Sequence, residues 1–284
     1  MERAASVGTD NIQRAAEELR AFLKRSEKLF VLTGAGCSTA SGIPGYRDEK
    51  GQWKHKPPMQ YQQFMGDLSL RQRYWARSFA GWPRFNAARP NAAHVGLVQL
   101  EQCGQLRGLV TQNVDRLHQK AGSQHVMDLH GRLDRVVCMA CGQYEPRSAF
   151  QQRLLDENEQ FFGQAAVRVS SAPDGDAALT ETDFSAVRIP ECSECNGLLK
   201  PDVVFYGETV PKERVERAYR WVQTSDAVLV IGSSLMVFSG SRFIKRARDL
   251  TLPIALLNQG ISRADSYATH CWRVDAGSLL SAVV

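Results

Sequence analysis

Lys28-Leu-Phe-Val-Leu-Thr33, running directly into Gly34-Ala35-Gly36, is the stretch that decides the fold. An unbroken apolar run that empties into a glycine turn reads as a strand buried on both faces, the kind found in parallel sheets. Similar runs follow at Leu106–Thr111, Val203–Tyr206, Ala227–Ile231 and Ile254–Leu257, and each is taken as a further strand of that sheet. Between them the spacing predicts helices at Lys212–Gln223 and Arg242–Leu250. A first amphipathic helix is expected over 10–25, capped by Asp10, with Ile12, Ala15, Ala16, Leu19, Phe22 and Leu23 as its apolar stripe. Strands alternating with helices give an α/β protein with a doubly wound, Rossmann-like parallel sheet, whose ligands sit at the carboxyl ends of the strands.

Two segments break the alternation. Residues 46–84 are rich in aromatics and arginine, and 132–199 carry paired cysteines. We read them as insertions forming a smaller lobe, a helical insertion plus a cysteine module, on a dinucleotide-binding domain made of 10–45, 85–131 and 200–284. The chain has 284 residues, 43% hydrophobic and 23% charged, which suits a soluble globular protein with a sizeable core. A net charge of +5 suits an acidic small ligand and is too weak to argue for nucleic acid. The most apolar run, Ala227–Val237, is interrupted by Ser233 and Ser234 and is too short to span a bilayer, so no membrane association is expected. No leader is visible in Met1–Asp10, and the single cysteines Cys37, Cys103 and Cys271 fit a reducing compartment; a cytoplasmic location is expected.

Cys138-Met-Ala-Cys141 and Cys192-Ser-Glu-Cys195 are two C-x-x-C pairs, each followed closely by glycine. Two residues between thiols let both sulfurs turn toward one ion, and two such knuckles complete a closed tetrahedral shell for one structural zinc. The 50 residues between Cys141 and Cys192 exceed the about 15–20 of an ordinary zinc ribbon. Residues 151–191, with eight acidic and three basic side chains, read as a helix followed by a polar loop.

Gly34-Ala-Gly36-Cys-Ser38-Thr39 is expected to open a helix whose amides hold phosphate. A hydride-transfer fingerprint would put glycine where Thr39 stands and an acidic residue about 20 positions on, at the end of a strand that follows directly. Here Thr39 holds the first place and the next stretch, Ile43-Pro-Gly-Tyr-Arg-Asp48, reads as a turn and not a strand, so a dinucleotide is expected in a different binding mode. Gln112, Asn113 and Asp115 crowd the end of the second strand, where burial demands a hydrogen-bonding partner. His130 follows in Leu129-His130-Gly131; His55, His94, His125 and His270 are read as structural or surface residues.

Taken together these stretches resemble the sirtuins, NAD-dependent protein-lysine deacylases. The matching pieces are Gly-Ala-Gly-Cys-Ser-Thr-Ala-Ser-Gly-Ile-Pro-Gly-Tyr-Arg (34–47), Gln-Asn-Val-Asp (112–115), Leu-His-Gly (129–131), the knuckles, Lys-Pro-Asp-Val-Val-Phe-Tyr-Gly-Glu (200–208), Gly-Ser-Ser-Leu-Met-Val (232–237) and Leu-Asn-Gln-Gly (257–260). They cover residues 12–284 in the family's order. The stretch 74–82, the Ala-Pro-Asp-Gly-Asp segment (172–176) and the long knuckle gap look most like class II.

The resemblance implies these roles. Gly34, Ala35, Gly36, Ser38 and the loop with Ile43, Pro44, Tyr46 and Arg47 hold the pyrophosphate and cover NAD. Gln112 and Asn113 contact the nicotinamide ribose, with Val114 beside them, and Asp115 takes the carboxamide. Gly232, Ser233, Ser234, Asn258, Gln259, Gly260 and Ala276 hold the adenosine half. Val203, Val204, Phe205 and Gly207 pair as a strand with an acyl-lysine peptide. His130 is the general base on a ribose hydroxyl, and the products are lysine, nicotinamide and O-acyl-ADP-ribose. Tyr74 and Arg77 match a Tyr-x-x-Arg pair that grips acidic acyl groups, which implies a preference for them; the alternative is a solvated helix face.

Two positions depart from the family. Gly45 stands where an acidic residue or threonine is usual, loosening the cofactor loop. Cys37 replaces an aliphatic residue and is expected to pack, although a helix start there would lower its thiol pKa. Three other functions are compatible with parts of the sequence. Protein ADP-ribosyl transfer uses the same cofactor cleavage. A zinc-ribbon nucleic-acid module would need a basic face near the knuckles, where the insertion is acidic. An oxidoreductase is disfavoured by Thr39.

Overall fold

The computed structural model describes residues 2–48, 50–54, 58–164 and 183–284. The Ala-Pro-Asp-Gly-Asp segment and His55 therefore lie outside the described residues. In chain order the elements are α1 (Glu2–Lys24), β1 (Leu29–Thr33), α2 (Tyr61–Gly66), α3 (Leu68–Ala87), α4 (Ala92–Gln102), β2 (Leu106–Thr111), α5 (Leu117–Ala121), β3 (Val126–Asp128), β4 (Gly131–Cys138), β5 (Tyr144–Pro146), α6 (Arg147–Asp156), α7 (Glu159–Gln164), β6 (Leu199–Val203), α8 (Lys212–Gln223), β7 (Ala227–Ile231), α9 (Phe238–Asp249), β8 (Ile254–Leu257), β9 (His270–Trp272) and α10 (Ala276–Ser281).

Six strands pair in the order β3-β2-β1-β7-β8-β9, all parallel. Every residue of β1, β7 and β8 is buried, as their uninterrupted apolar sequence requires. Alternate residues serve opposite faces. Leu29 and Val31 pack with Leu19, Leu97 and Leu279 from α1, α4 and α10, while Phe30 and Leu32 pack with Val222 and Phe243 from α8 and α9. The strand order reverses between β1 and β7, and a crevice opens there.

Three expectations need correction. Residues 203–206 do not form a strand of this sheet: β6 runs antiparallel to β4 in a separate sheet ordered β5-β4-β6. An apolar run cannot announce its partner, and here the chain arrives from the zinc knuckles rather than from a crossover helix. Asp10 lies inside α1 instead of capping it, because the helix extends back to Glu2. Finally, no α-helix follows Gly34. Two three-residue 3-10 turns, Ala35–Cys37 and Thr39–Ser41, end at Gly42, whose φ of 83° stops them.

Helix α3 starts at Asp67, whose carboxylate accepts the Ser69 and Leu70 amides at 2.8 and 3.1 Å. Its Tyr74 and Trp75 enter a third core with Phe64, Leu133, Val136, Phe150, Leu154 and Phe205. We propose on this basis that 46–84 and 132–199 make one lobe, since apolar residues of both share that core. No helix among the described residues is long and apolar enough to cross a membrane.

Candidate active site

Glycines shape the crevice floor. Gly232 ends β7 with φ of 63°, and a Cβ there would stand 2.2 Å from the Cys37 amide nitrogen. A Cβ on Gly36 would stand 2.7 Å from the Gly232 Cα, so the two backbones touch and side chains are excluded. Gly232→Ala should therefore combine overlap with backbone strain and cost on the order of 1–3 kcal/mol. Thermal unfolding should show a melting temperature several degrees lower; an unchanged value would mean that the contact yields freely.

Around this floor the polar residues at the strand ends bind one another. Asn113 Nδ2 donates to the Gly34 carbonyl at 3.1 Å and to Ser38 Oγ at 3.0 Å. Ser38 Oγ donates to Asp115 Oδ2 at 2.7 Å, and the Leu117 amide donates to Asp115 Oδ1 at 2.9 Å. Burial raises the Asp115 pKa, and these two donors oppose the shift. Gln112 Nε2 donates to Ser233 Oγ at 2.8 Å, tying the end of β2 across β1 to the end of β7.

His130 sits beyond β3. Its Nδ1 lies 3.0 Å from the Gln112 carbonyl, which can only accept, so Nδ1 carries the proton. Nε2 therefore presents its lone pair, 2.7 Å from Ser239 Oγ. Burial pushes the imidazole pKa down to about 4, so the ring is neutral at working pH and able to accept a proton. Sequence reasoning missed Ser239. It lies 109 residues away in the first turn of α9, and no motif marks it.

Two cavities meet at this imidazole. One, of about 380 Å³, is walled by Ile43, Tyr46, Met59, Tyr74, Val114, Leu133, Val203, Val204, Phe205 and Gly207. The other, of about 260 Å³, is walled by Gly34, Gly36, Tyr46, Arg47, Gly232, Ser233, Ser234, Asn258, Gln259, Gly260 and Ala276. Ala35, Gln112, Asn113 and His130 border both, while Ser38 and Asp115 border the first. Pro44 and Arg77 border neither. The loop over the second cavity is pinned by Arg47, whose Nη1 donates to the Gly51 carbonyl at 2.7 Å while its guanidinium lies 3.9 Å from the Trp53 ring centre. Beneath the first cavity, buried Lys200 pairs with Glu208 at 3.1 Å, and Glu208 also accepts the Phe205 amide at 2.9 Å. This pair holds 203–207 in place.

The four knuckle cysteines cluster at the end of β4 and in the turns before β6. Cys138 and Cys195 sulfurs are 3.5 Å apart, and Cys141 and Cys192 sulfurs 3.8 Å. Zinc–sulfur bonds of 2.3 Å in a tetrahedron require an edge of about 3.8 Å, so the donor set fits one zinc. The Ala140 and Cys141 amides point at Cys138 Sγ at 3.4 and 3.5 Å, as a thiolate ligand needs.

The Sir2 family profile matches residues 34–239. The chain belongs to the Sir2 family. This Sir2 chain is 59% identical over 249 residues to an NAD-dependent protein deacetylase of Bordetella bronchiseptica, covering 88% of this chain and 90% of that protein. It is 46% identical over 267 residues to the NAD-dependent protein lipoamidase sirtuin-4, mitochondrial, of Bos taurus, covering 93% and 84%. That likeness agrees with the class II features of its sequence. Among solved structures, Sir2 with a p53 peptide and NAD+ matches with a TM-score of 0.74 at 27% identity, covering 94% of this chain and 95% of that one. Sir2 with a deacetylated p53 peptide and 3'-O-acetyl ADP ribose matches with 0.75 at 27%, covering 94% and 96%. The parallel sheet, the zinc-fitting cluster and the NAD-dependent family all stand as the sequence led us to expect.

Proposed function

We propose that this Sir2 chain removes acyl groups from protein lysines with NAD as co-substrate, and that His130 is its general base. The observation that carries the reading is the neutral imidazole at the junction of an apolar cavity and a glycine-floored polar one. The polar cavity suits a dinucleotide. Gly34, Ala35, Gly36 and Arg47 would hold the pyrophosphate, and Ser233, Ser234, Asn258, Gln259, Gly260 and Ala276 the adenosine side. Gln112, Asn113 and Asp115 would orient the nicotinamide riboside. NAD supplies the ribose carbon that takes the acyl oxygen as nicotinamide departs.

What the protein contributes is a base in the right tautomer and a shaped, partly dry site. The Gln112 carbonyl fixes the proton at Nδ1, so Nε2 accepts a proton from a ribose hydroxyl that takes the place of the Ser239 hydroxyl. The apolar cavity takes the acyl-lysine, and Val203, Val204, Phe205 and Gly207 along its wall support binding of the peptide by backbone pairing. The dispersed thiols suit the cytoplasm. Incubation with NAD and acetyl-lysine peptide should release nicotinamide and shift the peptide mass by one acetyl; nicotinamide release with ADP-ribose added to protein would instead favour the transferase.

For the acyl group the cavity wall supports a reading other than the one the resemblance implies. Tyr74 borders the cavity, but Arg77, one turn on, does not, and the neighbouring wall is apolar. We propose that the cavity favours apolar acyl chains and that Arg77 is no carboxylate clamp. Arg77→Met should leave the ratio of glutaryl to acetyl turnover within about twofold. A direct hydrogen bond to a charge is worth about 1.5–3 kcal/mol, so a drop of tenfold or more would restore the clamp.

A further inference from the structure

Behind the cofactor loop, away from both cavities, three side chains converge that the deacylation mechanism does not use. Cys37, His94 and His118 are at most 2% exposed. One donor atom from each lies within 4.8 Å of the other two. The imidazole rings, from α4 and α5, stand 4.7 Å apart. Each ring uses one nitrogen: the Asn91 amide donates to His94 Nδ1 at 3.2 Å, and His118 Nε2 meets Thr33 Oγ1 at 2.9 Å. The other nitrogens, His94 Nε2 and His118 Nδ1, are buried without any hydrogen-bond partner. Buried polar atoms in folded proteins are nearly always satisfied, so two orphans in one cluster with a thiol call for a ligand.

We propose that Cys37, His94 and His118 form a second metal site, built for a soft monovalent ion, Cu(I). Softness and ligand number both point there. Thiolate and imidazole select copper or zinc over hard cations, but structural zinc sites are almost always four-coordinate and this cluster offers three donors. Charge agrees. A thiolate with two neutral imidazoles balances one positive charge, leaving no net charge in the core. Burial holds both imidazoles neutral and the thiol protonated in the metal-free protein, so loading releases one proton. The S–H bond breaks, an S–Cu bond forms, the proton leaves to solvent, and no electron is transferred.

Loading also reaches the cofactor loop. To ligate through Nε2, His94 must carry its proton on Nδ1 and release the Asn91 amide. Asn91 Nδ2 holds the Cys37 carbonyl and Ser41 Oγ, both at 2.9 Å, so the exchange strains the segment from Gly34 to Ser41. Resting on the proposed function, copper loading therefore weakens NAD binding.

The test compares zinc-loaded wild type with Cys37→Ala and His118→Gln, each equilibrated with Cu(I) buffered by bicinchoninate and then desalted. The four-cysteine site is common to all three, so only the difference in copper counts. Wild type should hold one more copper per chain than either variant, and its X-ray absorption should show additional nitrogen scatterers. Calorimetry should show NAD affinity falling at least tenfold on loading in wild type and unchanged in Cys37→Ala. Equal copper contents in wild type and Cys37→Ala, with circular dichroism showing both folded, overturn the site. If His118→Gln does not fold, Cys37→Ala alone decides. Should no form release nicotinamide from NAD while the copper difference persists, the deacylase reading fails and the metal site stands.

Discussion

Changing Cys138 or Cys192 to Ser is expected to lose the zinc and unfold the lobe built on β4, β5 and β6. Both sulfurs are buried, and the four thiols lie near the edge lengths of a zinc tetrahedron. Among the described residues the small sheet has three strands, with a three-residue β5, so its own pairing is weak. A structural zinc contributes roughly 10–16 kcal/mol of apparent binding energy, comparable to the roughly 5–15 kcal/mol stability of a whole domain. Leu133, Val136, Leu199 and Val203 of this lobe pack with Tyr74, Trp75 and Phe205, so the apolar cavity should collapse with it. Elemental analysis should give one zinc per wild-type chain and none in the variants, with limited proteolysis cutting the variants between residues 132 and 199. A zinc-free preparation that stays folded and active would remove the structural role.

His130→Ala is expected to abolish deacylation while leaving the fold and the zinc intact. Among the described residues the imidazole's hydrogen-bond partners are the Gln112 carbonyl and the Ser239 hydroxyl, and Cys138 stands at the opposite end of β4 from Gly131. General-base catalysis contributes on the order of 10²–10⁴ in rate, or about 3–5 kcal/mol of barrier. Steady-state kinetics should show kcat falling by that factor with melting temperature and zinc content unchanged. Turnover above about a tenth of wild type would take His130 out of the mechanism. Ser239→Ala gives a graded companion: in the proposed mechanism a ribose hydroxyl takes the place of its hydroxyl at Nε2, so kcat should change by less than tenfold.

Much of this was legible in the residues. The buried runs of β1, β7 and β8, the glycine loop and the C-x-x-C pairs are local patterns whose physics acts over a few residues. Apolar continuity demands burial on both faces, and thiol spacing sets the bite around an ion. Their order along the chain then placed His130, Gln112 and Asn113 at strand ends, where the crevice lies. The short turns after Gly34 were less legible, because the glycines there serve contact with Gly232 as much as approach to phosphate.

By itself, then, the sequence determined the parallel sheet, the zinc-binding cysteines and the family, since each rests on residue type at short or fixed spacing. Only the tertiary structure decided which sheet received Leu199–Val203, that Ser239 faces His130, that Arg77 borders neither cavity, and that Cys37, His94 and His118 meet. Those facts depend on contacts between segments far apart in the chain, up to 109 residues for His130 and Ser239. Such contacts are set by how helices seat on the sheet, and side-chain volume and orientation carry no trace of them in any local pattern.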